Sequence, residues 1–174
     1  MQAARPDDGS DRMAVNGEIA PVILVMPPRS TTPTGFSDIL DSLITTVDAA
    51  YRTIDEPSGR GLGGFSASGR ATAQSAFTGD PRAAAVGLFA VTWPDALDVE
   101  IFDGMSERTD RPAVYVSAGD RDPLMSRIPD IERTLGAVSI DVTVEIVAGG
   151  HNVDFVADRL PAWLRWFDSE LSPA

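Results

Sequence analysis

The sequence predicts an α/β domain: a mostly parallel β-sheet of about five strands flanked by helices, a three-layer sandwich. Three observations predict it. Five short, continuous apolar runs rich in β-branched residues recur along the chain, the stretches between them carry apolar residues at helical spacing, and the two kinds of segment alternate. Runs that are apolar throughout, rather than at every second position, suit strands covered on both faces.

Residues 1–20 (MQAARPDDGSDRMAVNGEIA) are polar and acidic and read as a loosely packed or disordered lead-in. The domain is expected to occupy 21–174. PVILVM (Pro21–Met26) reads as the first strand, stopped by Pro27-Pro28. In FSDILDSLITTVDAAYRTI, Ile39, Leu40, Leu43, Ile44, Val47 and Ala50 fall on one helical face, with Ser37 as the expected N-cap. RGLGGF is the second strand, followed by a small-residue helix over Ala67–Phe77 that Gly79 closes. AAVGLFAV (Ala84–Val91), PAVYVSA (Pro112–Ala118) and VTVEIVA (Val142–Ala148) complete the strands. Helices are expected near Ala96–Met105, over Pro123–Leu135 and from Val153 to Leu171.

Composition narrows the function. At 174 residues and 43% hydrophobic content the chain suits one domain with a real core. Fourteen basic against 26 acidic side chains give a net charge of −12, which argues against nucleic acid or an anionic membrane as partner. The absence of cysteine excludes disulfides, thiolate zinc sites and a cysteine nucleophile. No run approaches the roughly 20 apolar residues of a membrane span, and the first residues lack the apolar middle of a signal peptide. The default expectation is therefore a cytoplasmic protein.

The chemically suggestive residues lie in three loops, each following a predicted strand. In GLGGFSASG the strand RGLGGF turns at once into a helix at Ser66. Such a turn forces strained backbone on its apex residue and demands small neighbours two positions either side, here Gly64 and Ser68. It lifts the Ser66 hydroxyl above the sheet and leaves the Ala67 N–H at a helix N-terminus, where it could stabilise an oxyanion. A flexible small-residue loop is the plain alternative.

A serine hydroxyl needs a base to become nucleophilic. His151, the one histidine of the chain, stands in AGGHN directly after VTVEIVA. A carboxylate should orient the imidazole, and AGDRDPL, after PAVYVSA, offers Asp122 or Asp120. Asp122 lies deeper in the loop and is preferred, though it could serve only as a helix N-cap, and Asp120 only as a solvated turn residue. Trp93 and Phe155 lie close enough to these loops to line a substrate pocket, or else to cover the ends of the core.

These segments together resemble the putative-esterase branch of the α/β-hydrolases, which includes esterase D, the feruloyl and acetyl-xylan esterases of carbohydrate esterase family 1, enterochelin esterases and mycolyltransferases. IAPVILVMP, ILDSLITTVDAAYRTI, RGLGGFSASG, AGDRDPL and GGHNVDFVADRLPAWLRWF each resemble a family segment, and the similarity runs from about Gly17 to Leu171. The resemblance implies Ser66 as nucleophile, His151 as base and Asp122 as acid, with no metal or organic cofactor. Two departures stand out. Serine occupies position 68, where the family has glycine. The family's preceding strand, whose His-Gly loop donates a second oxyanion N–H, has no counterpart in residues 1–20.

In the family that strand lies centrally, so this chain would be a reduced α/β-hydrolase. Either PVILVM moves beside RGLGGF and closes a five-stranded sheet, the preferred expectation, or a seam stays exposed and invites association with another copy. In the first case the PPRSTTPTG loop, around Arg29 or Ser30, would supply the second donor. The functional expectation is a serine esterase acting on a small-molecule ester through an acyl-enzyme. The same triad could transfer acyl groups to another alcohol, and a non-catalytic hydrolase-fold docking domain is the rival from another class.

Overall fold

Four parallel strands, paired in chain order, form the sheet of the described chain. The structure, a computed structural model, describes residues 6–27 and 33–171. Along the chain run α1 (Pro6–Val15), α2 (Pro33–Ala50), β1 (Gly61–Phe65), α3 (Ala67–Phe77), β2 (Ala85–Phe89), α4 (Asp95–Met105), β3 (Ala113–Gly119), α5 (Ile128–Ala137), β4 (Val142–Val147) and α6 (Val153–Glu170). A 3₁₀ turn, Pro123–Arg127, leads into α5.

Alternation along the strands assigns the two faces. Val86 and Leu88 of β2, Val114 and Val116 of β3, and Val142 and Val144 of β4 meet Phe77 of α3, Leu97 and Ile101 of α4, and Ile131 and Leu135 of α5 in the main core. The opposite face is covered by α6. Gly63 and Gly87 are register partners on β1 and β2, and a Cβ on either would overlap the indole of Trp163. Two adjacent glycines thus make a flat seat on which the ring lies against the sheet, edge-on to Phe89. On the same face the Tyr115 hydroxyl bonds the Glu145 carboxylate, which also pairs with Arg159 of α6.

Three expectations need correction. The sheet has four strands among the described residues, where about five were expected. The missing one is PVILVM: residues 21–27 run outside the sheet, with Val22, Ile23, Val25 and Met26 exposed. Leu24 alone among them packs inward, against Met13, Ile19 and Leu164. Second, residues 6–15 of the polar lead-in form α1, whose Met13 is buried under α6. Third, α2 starts at Pro33, so Ser37 lies within it and bonds the Ser75 hydroxyl of α3 at 2.9 Å rather than capping. Arg29 and Ser30 fall outside the described residues. Among the described residues no helix is long and apolar enough to cross a membrane.

Candidate active site

The carboxyl ends of β1, β3 and β4 bring together Ser66, Asp122 and His151. Ser66 is the single residue between β1 and α3, at φ 57° and ψ −122°, a backbone region that costs a non-glycine residue about 1–3 kcal/mol. Packing holds it there. A Cβ on Gly64 would lie 2.6 Å from the Ser68 carbonyl oxygen and 2.7 Å from the Gly69 Cα. Strand and helix therefore touch backbone to backbone, and Gly64 with Gly69 are the residues that permit it. Ser68 is exposed, so its side chain is not buried in the turn.

Ser66 is also the N-cap residue of α3, a position where a serine hydroxyl normally accepts an N–H from the first turn. It makes no such bond. Its Oγ lies instead 2.9 Å from Nε2 of His151. The Ala67 N–H, at the start of α3, has no hydrogen-bond partner among the described residues and points from a helix N-terminus.

His151 sits in a loop stitched to the acid loop. Asp120 N–H donates to the Val147 carbonyl at 2.8 Å, Arg121 N–H to the Gly149 carbonyl at 3.0 Å, and Gly149 N–H to Asp120 Oδ1 at 3.0 Å. A Cβ on Gly119 would overlap the Gly149 backbone. Asn152 then caps α6, its side chain accepting from Phe155 N–H at 2.9 Å. The result places Nδ1 of His151 2.8 Å from Oδ2 of Asp122. A carboxylate there selects the tautomer with the proton on Nδ1, leaving Nε2 to accept from the Ser66 hydroxyl.

Asp122 is the acid that meets the histidine, and it is also the N-cap: its side chain is wholly buried, and Oδ1 accepts from Leu124 N–H at 2.8 Å. Asp120 does not reach the imidazole and holds the histidine loop instead.

Trp93 and Phe155 are both buried. Trp93 is buried in the main core, its indole N–H donating to Asp98 at 2.8 Å. Phe155 is buried against Gly149, from beneath the histidine loop. Phe65 is stacked on His151 with ring centroids 4.7 Å apart. Among the described residues no three His, Asp or Glu side chains form a metal-ligand group.

No protein-family model matches the chain, and no curated protein matches it. Solved structures do. The feruloyl esterase module from Clostridium thermocellum, solved with sinapinate, superposes at TM-score 0.75 with 17% identity, over 94% of this chain and 70% of that one. A ferulic acid esterase gives 0.69 at 16% identity, over 95% and 76%. S-formylglutathione hydrolase from Staphylococcus aureus gives 0.64 at 15%, over 75% and 59%. This is the α/β-hydrolase fold. The α/β-hydrolases similar to it are esterases and serine hydrolases, and the chain spans only 59% of the length of the S-formylglutathione hydrolase it matches.

Proposed function

We propose that this chain is a serine hydrolase of carboxylic esters, working through an acyl-enzyme on Ser66. One observation carries the reading: a continuous polar path runs from the Ser66 hydroxyl through His151 to buried Asp122, with spacings of 2.9 and 2.8 Å. That path forms at the strained strand–helix turn, where the serine forgoes its capping bond. As Ser66 Oγ bonds to the acyl carbon, its proton passes to Nε2 and Asp122 stabilises the imidazolium. The carbonyl oxygen takes the negative charge, facing the Ala67 N–H. Collapse breaks the acyl–alkoxy bond, and Nε2 returns its proton to the departing alcohol. Water then adds to the acyl-enzyme by the same route and releases the acid.

Nothing in these steps calls for a metal or an organic cofactor. An oxyanion donor is worth on the order of 10²–10³ in rate, and the Ala67 N–H is the one that the turn at Ser66 supplies. The test is a screen of acetyl, butyryl, octanoyl and feruloyl esters with the wild-type chain and Ser66→Ala. Hydrolysis lost in Ser66→Ala, in protein with an unchanged circular dichroism spectrum, supports the reading; undiminished hydrolysis assigns the chemistry elsewhere. Competing alcohols in the same assay separate hydrolysis from acyl transfer.

A second reading is a hydrolase-fold docking domain that associates through its sheet. The observation favouring it is β1, which has β2 on one side and no strand on the other among the described residues, with exposed glycines at 61 and 63. Sedimentation velocity decides it: a concentration-dependent dimer supports association through this edge, and a monomer at all concentrations removes it.

A further inference from the structure

Adjacent residues of an extended strand send their side chains to opposite faces. Phe65 and Ser66 do not. The positive φ at Ser66 breaks the alternation, so the Phe65 ring and the Ser66 hydroxyl both arrive at the same imidazole: the ring at 4.7 Å with an interplanar angle of 30°, the hydroxyl at 2.9 Å. The elbow therefore delivers two groups to His151.

The imidazole is held at Nδ1 by Asp122 and at Nε2 by Ser66, and two in-plane hydrogen bonds still let the ring tilt about the line joining them. A flat partner against one face removes that tilt. Phe65 is half-buried, and the His151 side chain keeps 30% of its surface accessible. The stacked geometry also has an electrostatic consequence. The face of a benzene ring is negative, and a cation within about 6 Å of its centroid is attracted to it. His151 becomes that cation during the reaction described above.

From this stacking we propose that Phe65 is a positioning residue of the site, whose aromatic face holds the plane of the His151 ring and stabilises its imidazolium form. The inference rests on the triad reading for its role in turnover, while the contact itself can be tested without turnover. The charged groups on the elements that build the site are Asp122 on Nδ1, Asp120 and Arg121 in the stitched acid loop, Asp154 in the first turn of α6 and Arg70 in the first turn of α3. None of them is altered in the variants below.

Two explanations of the contact differ in sign. A plate that merely covers the imidazole removes water from it and disfavours the charged form, so weakening the plate would move the histidine titration to higher pH. A π face favours the charged form, so weakening it moves the titration to lower pH. Because the chain has one histidine, its Cε1–H proton NMR signal needs no assignment. The experiment follows that signal against pH in the wild-type chain, in Phe65→Leu, and in protein carrying 3,4,5-trifluorophenylalanine at position 65, which keeps the ring's shape and weakens its face.

The expected result is a titration midpoint lower by about 0.4–0.7 of a pH unit in Phe65→Leu, with the fluorinated ring moving the same way. Should the leucine variant not fold, the fluorinated ring decides the matter alone. An unmoved or raised midpoint overturns the proposal. On any ester the wild-type chain hydrolyses, Phe65→Leu is expected to lower kcat by about 2–5-fold at unchanged KM. A chain that hydrolyses no ester but shows the lowered midpoint retains the contact and rejects the esterase reading instead, so the two failures are distinct.

Discussion

Asp122 serves His151 with one carboxylate oxygen and its own loop with the other: Oδ2 lies 2.8 Å from Nδ1, while Oδ1 accepts the N–H of Leu124 at 2.8 Å. The carboxyl thus has a fixing contact independent of the histidine. Two residues earlier, Asp120 spends its side chain on the Gly149 N–H. The sequence offers both aspartates to the imidazole, and the loop geometry separates their duties.

That separation predicts unequal mutants. Asp122→Asn keeps the shape and loses the charge, and kcat is expected to fall by on the order of 10³–10⁴. Asp120→Asn keeps a carbonyl oxygen for Gly149 N–H and is expected to remain within about a few-fold of wild type. Steady-state kinetics on a reactive ester checks both, and a reversal of the two effects would exchange the assignments.

The elbow predicts a trade between stability and chemistry. Ser66→Ala and Ser66→Gly remove the same hydroxyl, and neither loses a cap, because the hydroxyl makes none. Glycine alone relieves the backbone at φ 57°. Ser66→Gly is therefore expected to exceed Ser66→Ala in stability by about 1 kcal/mol, read from urea unfolding. Equal stabilities would mean the backbone there carries no strain.

Asp98 predicts a dependence of stability on pH. Burial alone would push its carboxyl up, but the Thr134 hydroxyl, the Trp93 indole N–H and the Arg133 guanidinium bond its oxygens and hold it below the usual carboxylate range. A group depressed on folding contributes stability that is present above its unfolded value, about 3.8, and is lost as pH falls through the folded one. The urea midpoint is expected to drop below about pH 4, and Asp98→Asn to shrink that drop. A drop of the same size in Asp98→Asn would place its origin elsewhere.

The site was more legible than the frame around it. Ser66, Asp122 and His151 could be read because each follows an apolar run, and the glycines at 64 and 149 mark where neighbouring groups approach closely. The turn rule is local, so ten residues sufficed to see it. PVILVM misled for the converse reason. Its apolar, β-branched residues suit a strand, but pairing requires an edge elsewhere in the chain, and no local pattern names that partner. Residues 21–27 instead lie outside the sheet, with Leu24 alone anchoring them to α1 and α6.

Trp93 shows a second limit. Its position after β2 suggests the site rim, yet Asp98, one helical turn into α4, accepts its indole N–H and draws the ring into the core. A partner for a buried N–H is a tertiary fact that spacing alone does not single out. The sequence does not single out Phe65, because alternation along a strand assigns it to the face away from Ser66. Only the positive φ at Ser66 brings both to His151.

The most direct measurement is covalent labelling of the folded chain with a fluorophosphonate, the adduct located by peptide mass spectrometry. The triad geometry predicts one adduct, on the peptide containing Ser66, absent from Ser66→Ala and strongly slowed in His151→Ala. Folded protein that takes up no label, or takes it up at a different residue, would contradict the assignment of Ser66 as nucleophile.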